Sequence, residues 1–423
     1  MPGTKLVFAS FLALAFAGAL SLTALPASAQ TATVLHSFGG YISDGFSPLS
    51  GLVEDANGNL YGTTQSGGAS NLGMVFELKK TSTGYTYSEI YSFQLNGTDG
   101  FGPVGNVILD SQGSVYGTTA SGGTKKAGTV FELSPLSNGG WSETILYNFG
   151  IANGNGPLAG LIFDQAGNLY GTAAWGGSSA ASGGCPGYRA GCGIVFELVH
   201  RANGSWDEKI LHNFESNGTD GTYVSQGLIF DSKGNLYGTT QEGGANNWGV
   251  AFELSPSGSE WNETILHTFN NIASDGGGPD GPLVFDSAGN LYGVTGKGGP
   301  DFVGSAYELS PASGGGWTES ILYFFQENNV DGRYPAGNLV FNSAGDIYGL
   351  TGDGGSTNNG ALFELVPSGS GWTESIVQSF DVTGFDPEYP NGGLLQDSAG
   401  NLYGTSVNGG RYGSNGAAWK ITP

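Results

Sequence analysis

Thr33-Val34-Leu35-His36-Ser37-Phe38, near the start of the chain, and Ala417-Ala418-Trp419-Lys420-Ile421, at its end, decide how this sequence folds. The first matches Glu263-Thr264-Ile265-Leu266-His267-Thr268-Phe269, and the second matches Val250-Ala251-Phe252-Glu253-Leu254. Those two internal segments are consecutive pieces of one repeat. The chain therefore begins with a piece that its last copy lacks.

The repeat is marked by a Tyr-Gly pair at Tyr61, Tyr116, Tyr170, Tyr237, Tyr292, Tyr348 and Tyr403, spaced by 55, 54, 67, 55, 56 and 55 residues. Each of the seven copies carries four short apolar or aromatic runs separated by glycine-rich turns, the pattern of consecutive antiparallel strands. In the fifth copy these are 283–285, 290–295, 305–309 and 317–325, named a, b, c and d. The seventh copy ends after its c, and the N-terminal segment is a spare d. Exchange of that strand closes a ring without exposed half-blades, whereas an open solenoid leaves unpaired edges. The expected fold is all-β: a seven-bladed β-propeller of four-stranded antiparallel blades, closed by the N-terminal strand in the last blade, over residues 30–423.

The a-to-b connection reads Asp-x-x-Gly-Asn in five copies, as in Asp286-Ser-Ala-Gly289-Asn290, with close variants at Asp110 and Asn342. The acid accepts backbone bonds in the turn and glycine supplies positive φ, so these acids are structural. The Tyr of strand b and the Phe of strand c are expected to pack between neighbouring sheets, with the Gly after Tyr allowing close approach.

The run Gly-Asn-Leu-Tyr-Gly-Thr-Thr, then Gly-Gly, then Val-Phe-Glu-Leu resembles the Gloeo/Verruco (GloVer) tandem repeat of secreted bacterial proteins, over residues 33 to 421. The resemblance implies an exported, propeller-forming protein and no established activity or catalytic residues. Some relatives end in a sorting anchor; Lys420-Ile421-Thr422-Pro423 is not one, so tethering by that route is not expected.

Lys5, the apolar run from Leu6 to Leu25 and Ala27-Ser28-Ala29 read as a secretory signal over residues 1–29, cleaved before Gln30; an uncleaved anchor is the alternative. No membrane insertion is expected after cleavage. The protein is then secreted, extracellular or periplasmic. Of the 13 Lys and Arg, only Lys5 leaves with the leader, and all 36 Asp and Glu remain. So acidic a chain repels nucleic acid and anionic lipid, which need clustered basic residues. Cys185 and Cys192 read as a local disulfide, since a metal or redox pair calls for closer spacing and more ligands.

The b-to-c and d-to-a connections emerge on one face of such a ring, and the short, near-identical a-to-b turns on the other. The d-to-a loops repeat an acid at Asp44, Asp99, Asp220, Asp275, Asp331 and Asp386, with Asn153 in the third blade. Six aspartates on one face offer hard-cation ligands, so Ca²⁺ is conceivable. The plainer reading is that each acid caps its own loop, which leaves no cofactor.

A side chain present in every blade belongs to the fold, so a site for an asymmetric ligand must break the symmetry. The Tyr of strand b stands 15 residues before the aromatic of strand c in five copies and 16 in the last, but 26 in the third. That blade carries an insert, 178–193, with the cysteines flanking Tyr188 and Arg189. The residue before each Gly-Gly pair also varies: Ser66, Ser121, Trp175, Glu242, Lys297, Asp353 and Asn408. Nearby, Trp248, Asp301, Phe302, Arg411 and Tyr412 occur once each. Trp175, Tyr188, Arg189, Glu242, Trp248, Lys297, Asp301, Asp353, Arg411 and Tyr412 are the candidate ligand-binding residues, because exposed aromatics beside charged groups suit saccharide or peptide surfaces. Ordinary surface drift is the competing explanation.

His36, His212 and His267 share one strand-d position, where other copies have Tyr91, Tyr147, Tyr323 and Gln378, and read as repeat residues; His200 lies on the opposite face. No nucleophile elbow or zinc-protease motif is present. The reading preferred on these grounds is a non-catalytic, monomeric module that binds a polysaccharide or protein at the cell surface. The alternatives are a carbohydrate-active enzyme using Glu242, Asp301 or Asp353, or a structural envelope or matrix component.

Overall fold

The acid that opens each a-to-b turn holds its hairpin shut. Asp55 Oδ1 accepts the backbone N–H groups of Asn57 and Asn59 at 2.8 and 2.9 Å, and Oδ2 accepts the Asn59 side-chain amide at 2.8 Å. Asp164, Asp231, Asp286 and Asp397 repeat the arrangement. Burial works to raise the Asp55 carboxyl, but these donors outweigh it and hold it below its ordinary value.

The computed structural model describes residues 32–41, 44–180, 185, 191–369, 371–381 and 386–422. It forms seven four-stranded antiparallel blades in a propeller. In the second blade a is Ile108–Leu109, b is Val115–Thr119, c is Thr129–Pro135 and d is Trp141–Asn148, hydrogen-bonded in that order. The a strands surround an axial cavity of about 500 Å³.

The last blade is completed by the first strand. Thr33–Ser37 pairs antiparallel with Ala417–Ile421, Thr33 opposite Lys420 and Ser37 opposite Ala417. Its register slips between Val34 and His36, at the place where the c–d pairs of the other blades slip, as between Val130 and Phe131. The N-terminal segment is thus a d strand in register and in irregularity.

Between blades the aromatics stack in two layers. Tyr116, Tyr170, Tyr237 and Tyr292 of strand b each meet a Phe on strand a of the next blade edge-to-face at 5.0 to 5.1 Å. Farther out, the Phe ending strand d meets the aromatic of the next strand c, as in Phe149–Phe196 at 5.0 Å and Phe214–Phe252 at 5.3 Å. The Gly after each Tyr lies under that aromatic: a Cβ on Gly62 would stand 2.7 Å from the Phe76 ring. Each blade therefore buries its faces only against its neighbours.

The d-to-a and b-to-c loops zip together on one face, since Gly45 pairs with Gly67 and Thr222 with Glu242. In the third blade Cys185 and Cys192 form a disulfide. Both are buried against the group that contains Val224 of the following d-to-a loop. Tyr188, Arg189 and the expected signal segment, residues 1–29, lie outside the described residues. Among the described residues no helix is long and apolar enough to cross a membrane.

Candidate functional site

At the mouth of the axial cavity the d-to-a loops stop being equivalent. Three residues after the loop acid stand Ser47, Gly102, Gly156, Tyr223, Gly278, Tyr334 and Tyr389. The backbone there is left-handed in every blade, which suits glycine. Tyr223, Tyr334 and Tyr389 hold φ of 61°, 54° and 53°. A bulky residue in this region costs on the order of 1–3 kcal/mol, and such strain concentrates at functional sites. Tyrosine in blades four, six and seven is thus costlier to the turn than the glycine of blades two, three and five.

Two positions farther on, where strand a begins, the first three blades present Leu49, Val104 and Leu158, whereas the last four present Ser225, Asp280, Ala336 and Asn391. At this position the first three blades are aliphatic, and Ser225, Asp280 and Asn391 make the others polar except at Ala336. Asp280 is the only carboxylate in the cavity wall among the described residues. Its Oδ1 accepts side-chain amide bonds from Gln241 at 2.7 Å and Gln226 at 3.1 Å, both on the preceding blade. Its backbone is fixed on both sides, its N–H donating to Val294 and its carbonyl accepting from Gly337 of the next blade. Burial pushes the Asp280 carboxyl above its ordinary value, against the Gln241 and Gln226 amides and the Lys297 ammonium.

A depression of about 430 Å³ opens beside it, lined by Asp280, Tyr334, Asp353, Tyr389, Asn391 and Asn408. Its lining is mainly apolar by way of the tyrosine rings. On the other flank of Asp280, Tyr223 lies 5.5 Å from the Trp175 ring. Burial, then Asp280 and Glu242, push the Tyr223 hydroxyl upward, which places both carboxylates within electrostatic reach of it. Lys297 sits 5.1 Å over Trp248 in a cation–π contact.

The structure thus gathers Trp175, Glu242, Trp248, Lys297 and Asp353 around one mouth. It separates the others. Arg411 and Tyr412 line a cleft of about 270 Å³ with His36, Gly40 and Asp44, where the chain ends meet. Asp301 accepts the Glu327 backbone N–H at 3.0 Å and caps a loop. The candidate set taken from sequence omits Asp280, Gln226, Gln241 and the three tyrosines. A signal was present for Asp280, Gln226 and the tyrosines, which depart from their repeat register in or just after the d-to-a loop; Gln241 carried none, since it lies in the b-to-c loop where the first blade also has Gln65.

A larger groove of about 860 Å³ lies between blades two and three on the opposite face. Tyr116, Glu132 and Asp164, which line it, recur in every blade or nearly so, and mark no asymmetric site.

A generic ring with one individual mouth defines a tandem-repeat β-propeller. The chain belongs to the Gloeobacter/Verrucomicrobia repeat family, whose model matches residues 20–185 and 180–419. No curated protein matches it. Among solved structures it is similar to a candidate 6-phosphogluconolactonase from Bacteroides uniformis, at 14% identity and a TM-score of 0.51, covering 85% of this chain and 90% of that one. A candidate oxidoreductase (glucose dehydrogenase) from Thermus thermophilus has 16% identity and a TM-score of 0.43, covering 75% of this chain and 95% of that one. The first is a likeness of fold alone, and the second carries no argument.

Proposed function

We propose that the chain is an exported, non-catalytic saccharide-binding propeller whose ligand enters the mouth around Asp280. The observation that carries this is the trio Tyr223, Tyr334 and Tyr389, kept in a backbone conformation that other blades fill with glycine or serine. Aromatic faces stack on the C–H faces of a sugar ring, and Asp280, Asn391 and Asn408 supply directional hydrogen bonds to hydroxyls. Export rests on the leader over residues 1–29 and is supported by the Cys185–Cys192 disulfide. The acidic chain favours a neutral or basic glycan over a polyanionic one.

The test is retention on a panel of insoluble and soluble polysaccharides, with Asp280→Asn, Tyr334→Ala and Tyr389→Ala compared with the unaltered protein. A tenfold or greater loss of affinity in each variant supports the reading. Retention unchanged in all three removes it.

One observation favours a second reading. The Asp280 carboxyl, which burial holds above its ordinary value, shares a depression with Asp353, and a pair of acids is what a glycosidase needs. Release of reducing ends from the same panel, abolished by Asp280→Asn, would convert the binding site into an active site.

A further inference from the structure

At most blade junctions three side chains converge: one from strand d, the acid of the following d-to-a loop, and a glutamate on strand d of the next blade. Where the first is tyrosine, its hydroxyl serves the acids. Tyr91 lies 3.0 Å from Asp99 Oδ2 and 2.7 Å from Glu143 Oε2. Tyr147 donates to Glu208 at 2.7 Å, with Asn153 in the place of the loop acid.

At two successive junctions histidine replaces the tyrosine. His267 Nε2 lies 3.4 Å from Asp275 Oδ1 and 3.5 Å from Glu319 Oε1. His212 Nε2 lies 3.4 Å from Asp220 Oδ2 and 3.6 Å from Glu263 Oε1. In each trio the ligand atoms all fall within 4.8 Å of one another.

These separations are long for charge-assisted hydrogen bonds, which run about 2.7–2.9 Å. They match a different geometry. Metal–ligand bonds of about 2.0–2.2 Å in a tetrahedral zinc site set neighbouring ligands about 3.3–3.6 Å apart. In the His267 trio Nε2, Asp275 Oδ1 and Glu319 Oε1 are all buried without a hydrogen-bond partner, and the Asp275 side chain is only 8% exposed. Buried polar atoms are seldom left so. At the other junction Asp220 Oδ1 and Glu263 Oε1 are unpartnered too, as are carboxylate oxygens at the tyrosine junctions, while His212 Nε2 has Asp220 Oδ2 at 3.4 Å; the unpartnered imidazole nitrogen sets the His267 trio apart.

We propose that His267, Asp275 and Glu319 bind a divalent transition-metal ion, Zn²⁺ foremost, and that His212, Asp220 and Glu263 bind a second. A neutral imidazole and two carboxylates carry one divalent ion's worth of negative charge, and a nitrogen donor among only three ligands suits zinc rather than Ca²⁺, which takes six to eight oxygens. Each ion would tie strand d of one blade to strand d of the next. The third histidine is an internal contrast: His36 faces Asp44, but Tyr87 replaces the glutamate and stacks on the imidazole at 3.8 Å.

The experiment is titration of the chelator-treated full-length protein with zinc chloride by calorimetry, with bound metal counted by elemental analysis. His212→Tyr and His267→Tyr install the side chain that other blades carry at this position, so the fold is retained. The expected result is two ions per chain in the unaltered protein, one in each single variant and none in the double variant. The zinc-dependent rise in melting temperature is lost with them. Zinc uptake by the double variant equal to that of the unaltered protein, or uptake by neither, overturns the assignment.

Discussion

Phe38, one residue beyond the first strand, packs edge-to-face on Phe76 of the first complete blade with ring centroids 5.1 Å apart. Phe93 makes the same contact with Phe131 at 5.2 Å, although those two come from blades that are adjacent in the chain. The seam of the ring is built like any other junction.

Phe38 is wholly buried, so Phe38→Ala is expected to cost about 3–5 kcal/mol, as for a core aromatic in any blade. Phe214→Ala, at an interior junction, should cost a similar amount. Chemical denaturation of both variants checks this. A Phe38→Ala cost well under 1 kcal/mol would mean that the first strand is an appendage.

Glycine substitutions should separate close packing from backbone strain. Gly404→Ala brings a Cβ to within 2.3 Å of the Trp419 ring, and overpacking of that kind costs typically about 1–3 kcal/mol. Gly113 has open space around it but a φ of 82°, so Gly113→Ala should cost nearer 1 kcal/mol, through the backbone alone. Denaturation midpoints decide whether the order holds.

Tyr389→Gly should hold or raise the melting temperature while weakening saccharide binding. The substitution relieves a φ of 53°, worth on the order of 1 kcal/mol, and removes a ring from the mouth. A variant that loses stability and keeps its ligand would place this tyrosine in the scaffold.

Stability should fall as pH rises through neutrality. Glu143 is pushed up to about 8 and Glu374 to about 7, in both by burial first, from an unfolded value of 4.5. Between those limits the folded state holds protons that the unfolded chain has released, so the slope of unfolding free energy against pH is negative. The contribution is complete below pH 4.5 and lost by about pH 8. Melting in chelator at about pH 5.5 and about pH 8.5 measures it, and Glu143→Gln should flatten the difference.

How far the sequence reveals these features depends on the distance over which each is encoded. The Asp-x-x-Gly turns are local, and the spare strand at Thr33–Ser37 shows itself by alignment with other copies, so the ring and its seam were readable. The pairing of Cys185 with Cys192 was readable for the same reason. The histidine trios were not, because the partner of each strand-d residue lies about one repeat away, 52 residues in the case of Tyr91 and Glu143. A reading confined to one blade sees His267 only as a substitute for tyrosine. Asp280 escaped differently. It sits next to a loop whose acid recurs in six of seven blades, and that regularity drew attention from the position where leucine becomes aspartate. Its two amide partners come from another blade, and only the folded ring brings them to it.

Hydrogen–deuterium exchange with a bound oligosaccharide, taken from the best polysaccharide on the panel, tests the central claim most directly. The account predicts protection in 222–224, 278–281, 333–336 and 388–391, the segments that hold the three tyrosines and Asp280. Protection confined to the Arg411–Tyr412 cleft, or to the a-to-b turns on the opposite face, would contradict it.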